Sequence, residues 1–375
     1  MGGHPWKATL YDYMCGALSP PLWGQLGLMP LWLGSWLYRG LVRGDRGSYS
    51  WRLRRRQRLP CRVVSIGNLT LGGTGKTSLT IWAARWFQQQ GWRVAVLSRG
   101  YGRRPGTALC VVSTGAGPLC SWSEVGDEPY MMAQALPGIA VLVGKDRYVS
   151  GCYAYEQLHA QVLLLDDGFQ HYRLARDLDM VLIDVTNPFG HGTLLPRGIL
   201  REPLHALARA DAVILTRTES ARAALPEVVA QIRAWNTRVP IYPAQTIVQA
   251  VRQGETLVGP DRVLRQRRVV AFVGIGNPQA FAMTLAQLGG EVAALLVFPD
   301  HHAYTAQDWQ RILALAKRHN AACLVTTAKD AVRLSAAWHA PIPLYTLCID
   351  VVFADGAEAL QQQLKALMRH ADDCG

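Results

Sequence analysis

The sequence predicts an α/β protein with a mostly parallel sheet and helices on both faces, a second, smaller α/β domain, and an N-terminal helical segment associated with a membrane. Three observations predict it. Strand-like apolar runs alternate with helix-forming runs from Cys61 onward, and half of the 375 residues are apolar, enough for two substantial cores. A polar, charged stretch at 246–267 interrupts the alternation, and a fresh series opens at 269 with VVAFVGIGNP. Ahead of both, residues 21–42 are almost wholly apolar until Arg39. The boundaries that follow are 1–60 for the membrane segment with its basic run, 61–245 for the first domain, 246–267 for a connector and 268–375 for the second domain.

The apolar segment approaches the roughly 20 residues needed to cross a bilayer. Pro30, Gln25 and four glycines weaken a simple spanning helix, whereas Trp23, Trp32, Trp36 and Tyr38 suit the membrane–water interface. From Arg39 to Arg62 there are nine arginines against a single acid, Asp45. An aromatic apolar segment followed by a basic run fits an anchor held on the cytoplasmic side by anionic headgroups. A peripheral anchor and a single span both stay open, as does the plainer reading of a core-packed helix with a solvated arginine face. A cleaved signal peptide fits poorly, because little positive charge precedes the segment and no A-x-A site follows it. The net charge of +12 points to an anionic partner. The basic residues crowd beside the apolar segment without a nucleic-acid module, so nucleic acid is not an expected partner. Eight cysteines form no C-x-x-C pair, and reduced thiols in the cytosol are expected.

Cys61 to Thr77, CRVVSIGNLTLGGTGKT, reads as a buried strand (Val63, Val64, Ile66), a glycine-rich turn and Lys76-Thr77, before the helix-forming run SLTIWAARWFQQQ. That is the layout of a phosphate-binding loop, which makes the first domain P-loop NTPase-like. Backbone N–H groups across Thr70, Gly72, Gly73, Thr74 and Gly75 can close around phosphate oxygens, Lys76 reaches the outer phosphates, and the Thr77 hydroxyl is placed for Mg²⁺. Thr70 stands where the G-x-x-x-x-G-K-[ST] pattern has its first glycine. A glycine turn before a core helix is the plainer reading, but strand, turn and helix all sit where phosphate binding needs them.

Trp92–Leu97 reads as the next strand, ending in SRGYG, and Ala108–Ser113 as another. Gly126-Asp127-Glu128-Pro129 places an acid pair just before a helix. Apolar runs at Ile139–Gly144 and Gln161–Leu165 flank a helical stretch, Lys145–His159, and the second run ends in Asp166-Asp167-Gly168-Phe169-Gln170-His171. A strand ending in aspartate is where P-loop enzymes keep the carboxylate that supports Mg²⁺; turn chemistry is the ordinary competitor. Strand Leu178–Asp184 leads into a long loop, Asn187–Pro203, carrying Arg197, Arg201 and Glu202. A loop this long beyond a strand's C-terminal end is where open α/β sheets bind ligands. Asp211–Thr216 reads as a strand and Ala221–Trp235 as a helix. In the second domain Gly274-x-Gly276 lacks a third glycine and meets Pro278, so it reads as a strand–helix turn. Glu291–Phe298 opens into Pro299-Asp300-His301-His302-Ala303-Tyr304 with a helix from Thr305, and Leu324–Thr327 leads to Ala328-Lys329-Asp330.

The segments GNLTLGGTGKT, SRGYG, GDEP, DDGFQH, LLPRGILREP, FPDHH and TTAKDAVR occur in this order between residues 66 and 333. Together they resemble the tetraacyldisaccharide 4′-kinase family, the lipid A 4′-kinases of Gram-negative bacteria. Ser or Thr at the position of Thr70 is usual in that family; Ser78 departs from it, since proline commonly follows Lys-Thr. The resemblance implies a two-lobed P-loop fold, with ATP- and Mg²⁺-dependent phosphorylation of the 4′-hydroxyl of an acylated glucosamine disaccharide 1-phosphate at the inner leaflet. It implies Asp127 as the base that accepts the sugar hydroxyl proton and His301 as its partner from the second lobe. Lys76 and Thr77 would hold the ATP phosphates and Mg²⁺. Asp166, Asp167, Glu128, Arg201 and Glu202 would complete the charged site, with Asp167 and Arg201 acting in catalysis and Asp166, Glu128 and Glu202 near the metal. A monomer is expected. The rival is a membrane-bound ATPase switch of the chromosome- or septum-positioning kind. Those proteins carry a lysine before the paired glycines, where this chain has Leu71.

Overall fold

The computed structural model describes residues 10, 12–17, 28–51, 53–101, 108–254, 256–353 and 355–372. Trp23 and Gln25 of the apolar segment, Gly102 of SRGYG and Cys374 lie outside the described residues. The strands are β1 (Arg62–Asn68), β2 (Val94–Ser98), β3 (Leu109–Ser113), β4 (Ala140–Gly144), β5 (Val162–Asp166), β6 (Leu178–Asp184), β7 (Ala212–Thr216), β8 (Ile241–Gln253), β9 (Thr256–Val258), β10 (Arg268–Val273), β11 (Glu291–Val297), β12 (Cys323–Thr327) and β13 (Leu344–Phe353). They form one sheet in the order β11-β10-β12-β13-β8-β7-β6-β1-β5-β2-β4-β3, with β9 paired to β8. Among the described residues nine of the twelve strand pairings are parallel, so helices must return the chain across both faces.

The central strands are near-continuous apolar runs because both of their faces are covered. Val64, Ile66 and Leu164 pack on Leu79, Ala83 and Phe87 of the helix Lys76–Gln89. Their neighbours Val63, Leu163 and Leu165 point the other way, into a core with Leu97 and with Ala154 of the helix Arg147–Glu156. This two-residue alternation repeats in β10. Val269, Ala271 and Val273 meet Phe281 and Leu285 on one face, and Val270 and Phe272 meet Trp309 and Ile312 on the other.

The stretch expected as a connector is structured. Ile241–Pro243 of β8 pair in parallel with β7, whereas Ala244–Arg252 pair antiparallel with β13 and the strand ends in a hairpin with β9. Its polar residues reflect a strand with a face in solvent, which reads as a linker when composition alone is considered. The C-terminal helix Ala357–Asp372 also crosses the expected division. Leu360, Leu364 and Met368, four residues apart on one helical face, sit in the same core as Val64 and Leu79. The expected helix over 221–235 is a short 3₁₀ turn, Arg222–Ala224, followed by Leu225–Arg233.

At the N-terminus, Met29–Ser50 is a 22-residue helix. Among the described residues no helix is long and apolar enough to cross a membrane. The helix is fastened to the long loop after β6. Ser35 Oγ donates to the carbonyl of Leu194 and Tyr38 Oη to that of Arg201, both at 3.0 Å.

Two glycines separate packing from flexibility. A Cβ on Gly67 of β1 would stand 2.6 Å from Phe169 Cβ and 2.7 Å from its backbone nitrogen, whereas a Cβ on Gly73 meets nothing within 4 Å. Gly67→Ala is therefore expected to lower stability by about 2 kcal/mol or more, by pushing the Asp166–Phe169 turn off β1. Gly73→Ala should leave the thermal midpoint unchanged, and equal midpoints for both variants would refute this account.

Candidate active site

The phosphate loop leaves β1 in extended backbone. Leu71 N donates to Ile199 O and Arg201 N to Leu69 O, each at 2.7 Å, so Thr70 is bridged to Leu200 in antiparallel pairing. A residue held this way needs no glycine, which accounts for a threonine there. Left-handed turns fall instead at Gly72 and Gly75, with φ of 110° and 90°. The turn is braced from behind by Asn68 Nδ2 donating to Thr74 Oγ1 (3.0 Å), Thr216 Oγ1 to Thr74 O (3.0 Å) and Arg217 Nη2 to Gly73 O (2.9 Å). Lys76 and Thr77 open the helix Lys76–Gln89 behind it, so its free N–H groups and the positive end of its dipole face the loop.

Lys76 Nζ donates to Asn68 Oδ1 at 3.2 Å and lies 3.6 Å from Asp167. Arg201 Nη1 is 2.9 and 2.8 Å from the two oxygens of Asp167. Burial lowers the Lys76 ammonium, and Asp167 offsets this only in part. Burial raises Asp167, but Lys76 and Arg201 outweigh it and hold the carboxyl below its usual range. Asp166, at the end of β5, behaves oppositely. Burial, then the Glu128 and Asp167 carboxylates, push it up to about 7 despite hydrogen bonds from Ser98 (3.2 Å) and Thr80 (3.5 Å). Among the described residues no three potential ligands form a ready-made metal cluster. A magnesium ion keeps several waters and takes one or two carboxylates beside substrate phosphates, so Thr77 with the crowded Asp166 fits it.

The second set of groups joins the two halves of the sheet. Gly126, at φ 96° and with Tyr101 O only 2.7 Å from where a Cβ would stand, turns the chain so that Asp127 starts the helix Asp127–Ala135. Asp127 is 5% exposed, and His301 Nδ1 lies 2.8 Å from its Oδ2. A carboxylate only accepts, so Nδ1 carries the hydrogen. His301 occupies a left-handed turn (φ 58°), and the exposed Tyr101 ring of SRGYG stands 5.7 Å from its imidazole. The next residue, His302, is held against Asp308 at 3.0 Å and stacked on Phe298. Lys329 pairs with Glu128 at 2.6 Å, and Arg333 Nε lies 3.6 Å from Asp127. Burial raises Asp127, but the His301 hydrogen bond, Lys329 and Arg333 outweigh it and keep it ionised. The same hydrogen bond lifts His301 above its ordinary value, against burial and Lys329.

Thr70 to Thr77, Asp166, Asp167 and Arg201 thus gather at one end of β1 and β5, while Asp127, Glu128 and His301 meet across the sheet. Glu202 departs from the expectation of a metal ligand. It is 1% exposed, and its oxygens are taken by Arg209 at 2.7 and 2.8 Å, Gln170 at 3.1 Å and the Tyr172 hydroxyl. That makes it an anchor for the long loop against the DDGFQH turn, with no acceptor left over. Glu128 is likewise engaged by Lys329. Sequence reasoning gave no role to Asn68, Lys329 or Arg333. The last two lie in TTAKDAVR, whose unusual density of charge beside a buried strand was the available signal.

A family model described as tetraacyldisaccharide-1-P 4′-kinase matches residues 28–369. Proteins named tetraacyldisaccharide 4′-kinase from Syntrophus aciditrophicus and Syntrophobacter fumaroxidans are 42% and 46% identical to this chain, over 81% and 75% of it and 83% and 73% of their own lengths. The crystal structure of LpxK from Aquifex aeolicus in complex with ATP superposes with a TM-score of 0.73 at 31% identity, covering 91% of this chain and 98% of that one. On these matches the protein is a kinase, and it belongs to the tetraacyldisaccharide-1-P 4′-kinase family.

Proposed function

We propose that the protein transfers the γ-phosphate of ATP to the 4′-hydroxyl of an acylated glucosamine disaccharide 1-phosphate, forming lipid IVA at the cytoplasmic face of the Gram-negative inner membrane. The observation that carries this reading is the 2.8 Å contact of Asp127 with His301, a base and its orienting partner, beside a phosphate loop. Loop amides and Lys76 hold the phosphates, and Thr77 with Asp166 would hold Mg²⁺, which neutralises charge on the phosphate oxygens when bound. Arg201 keeps Asp167 in place next to Lys76. Asp127 accepts the hydroxyl proton as the sugar oxygen bonds to the γ-phosphorus, and ADP leaves. Positioning and charge neutralisation carry most of such a reaction. The base and its partner come from opposite halves of one sheet, so a movement that shifts one half against the other would break the pair.

The membrane side of the reading rests on the helix Met29–Ser50. Met29, Leu33, Leu37 and Leu41, spaced by four, are all more than half exposed, with Trp32 and Trp36 beside them. Trp51 and Leu53 continue the apolar surface into the arginines at 54–58. Such a face suits insertion at the depth of lipid headgroups, which would bring the enzyme to an acceptor that stays in the bilayer.

The deciding assay supplies radiolabelled ATP with the acylated disaccharide 1-phosphate, and separately with plain anionic vesicles. Label should pass to the disaccharide; ATP hydrolysis on vesicles alone would favour the switch ATPase. Asp127→Ala and His301→Ala should each lower turnover, by roughly 10²–10⁴-fold for the base, with little change in ATP affinity. Unchanged turnover in both would defeat the assignment.

The pair also sets a pH dependence. Asp127 is held low and stays ionised well into acid, whereas His301 is raised above 6.5. As pH falls through that raised value the imidazolium forms and makes Asp127 a poorer proton acceptor. Activity should therefore climb with pH through a midpoint above 6.5, and His301→Ala should move that limb to lower pH. For the membrane face, Leu33→Glu with Leu37→Glu should weaken binding to anionic vesicles by about 100-fold or more. Undiminished sedimentation with vesicles would mean that the helix is not the docking element.

A further inference from the structure

Arg333 is almost wholly enclosed, with a side chain 1% exposed, and none of its bonds is needed to pair a charge at the surface. Its Nε donates to Lys329 O at 3.0 Å, Nη1 to His302 O at 3.0 Å, and Nη2 to Gly274 O at 3.3 Å and Asp330 Oδ1 at 2.9 Å. The acceptors come from three pieces of the wall. Gly274 follows β10, His302 follows His301, and Lys329, the partner of Glu128, adjoins Asp330 in the turn of helix after β12. Asp330 binds the ensemble from beneath. It accepts from Gly274 N at 2.9 Å, Tyr304 Oη at 2.8 Å and Thr327 Oγ1 at 2.6 Å. No slack remains around Gly274, where a Cβ would stand 2.8 Å from Pro299 O. The guanidinium Nε then lies 3.6 Å from Asp127 Oδ2.

We propose that Arg333 is a positioning residue for phosphoryl transfer: by tying the His302 carbonyl to the ends of β10 and β12 and flanking Asp127, it fixes where His301 meets the base. This rests on the kinase reading given above. An arginine needed only to neutralise the buried Asp330 would have no reason to reach the residue after His301. A planar fork can serve His302 O, Gly274 O and Asp330 together, and a lysine ammonium at the same place cannot. His301 is in a backbone conformation costly for a residue with a Cβ, so its turn must be held by its surroundings. Arg333 and the His302–Asp308 contact supply the hold from its C-terminal side.

The test is a double-mutant cycle. Arg333→Lys and Arg333→Gln are prepared alone and in a His301→Ala background, and folding is checked by thermal melting. Turnover and KM for ATP are measured with the acylated disaccharide 1-phosphate. Each folded Arg333 variant should lose roughly 10²-fold in turnover while KM for ATP moves little, because a small displacement of the pair suffices for such a loss. In the His301→Ala background the same substitution should cost less than about twofold, since the group it positions is gone. A folded variant with full turnover, or an equal loss in both backgrounds, would overturn the proposal. Where only one of the two variants folds, that one decides. Failure of the unvaried protein to phosphorylate the disaccharide would instead count against the functional reading.

Discussion

The strand β8 must satisfy two different hydrogen-bond ladders along thirteen residues, and the rest of the molecule follows from that demand. Its first residues extend the parallel sheet of the phosphate-loop half; the remainder runs antiparallel to β13 and starts the other half. Pro243, which has no N–H to offer, stands where the partner changes. The two halves therefore share a backbone rather than a linker. The C-terminal helix closes the arrangement by burying Leu360, Leu364 and Met368 in the first half's core. Within this frame the turn at His301 and the helix start at Asp127 meet without any further covalent constraint.

What holds that meeting is charge, and burial decides how each charge must be treated. An ion moved out of water costs several kcal/mol unless paired and hydrogen-bonded. Asp167, Glu128 and Glu202 each have a cation within reach, at 2.8, 2.6 and 2.7 Å, and Asp127 has the His301 N–H at 2.8 Å with Arg333 Nε at 3.6 Å. Asp166 has hydroxyls, and the Arg147 guanidinium reaches only its backbone carbonyl, at 3.4 Å. Desolvation and its two carboxylate neighbours win, and its proton affinity rises toward neutrality. A carboxyl in that state is the one that gains most from an added divalent ion, whereas Glu202 has already been neutralised by Arg209. Adjacent acids in one sequence motif thus sit in different surroundings: Asp167 is paired with Lys76 and Arg201, and Asp166 has hydroxyl partners alone on its carboxylate among the described residues.

The strands and motifs of the first half were legible because parallel strands covered on both faces are unbroken apolar runs, and because a phosphate loop needs glycines at particular steps. Thr70 departs from the general phosphate-loop pattern while matching the family's, and its pairing with Leu200 supplies the physical reason: no left-handed turn falls there. β8 was hidden for the opposite reason. Residues such as Gln245, Gln249 and Arg252 face away from the core, and composition counts them without knowing their side of the sheet. The Asp127–His301 contact joins residues 174 apart, and no local pattern encodes that distance. Only the ordered set of motifs pointed to it. Arg333 was missed because an arginine after a buried strand reads as surface charge, and its burial depends on carbonyls from three separate turns.

The N-terminal helix is coupled to the phosphate loop through the long loop after β6. Tyr38 Oη binds the carbonyl of Arg201, and the Arg201 side chain binds Asp167 beside Lys76. The exposed Leu37 therefore precedes a tyrosine whose partner is itself in contact with the phosphate-loop carboxylate. Ser35 makes a second tie to the same loop at Leu194. Any movement of the helix pulls on backbone that also forms the Leu69–Arg201 and Leu71–Ile199 hydrogen bonds. The exposed apolar face and the phosphate-loop end of the sheet are thus tied to one loop, and a shift at either is passed through it to the other.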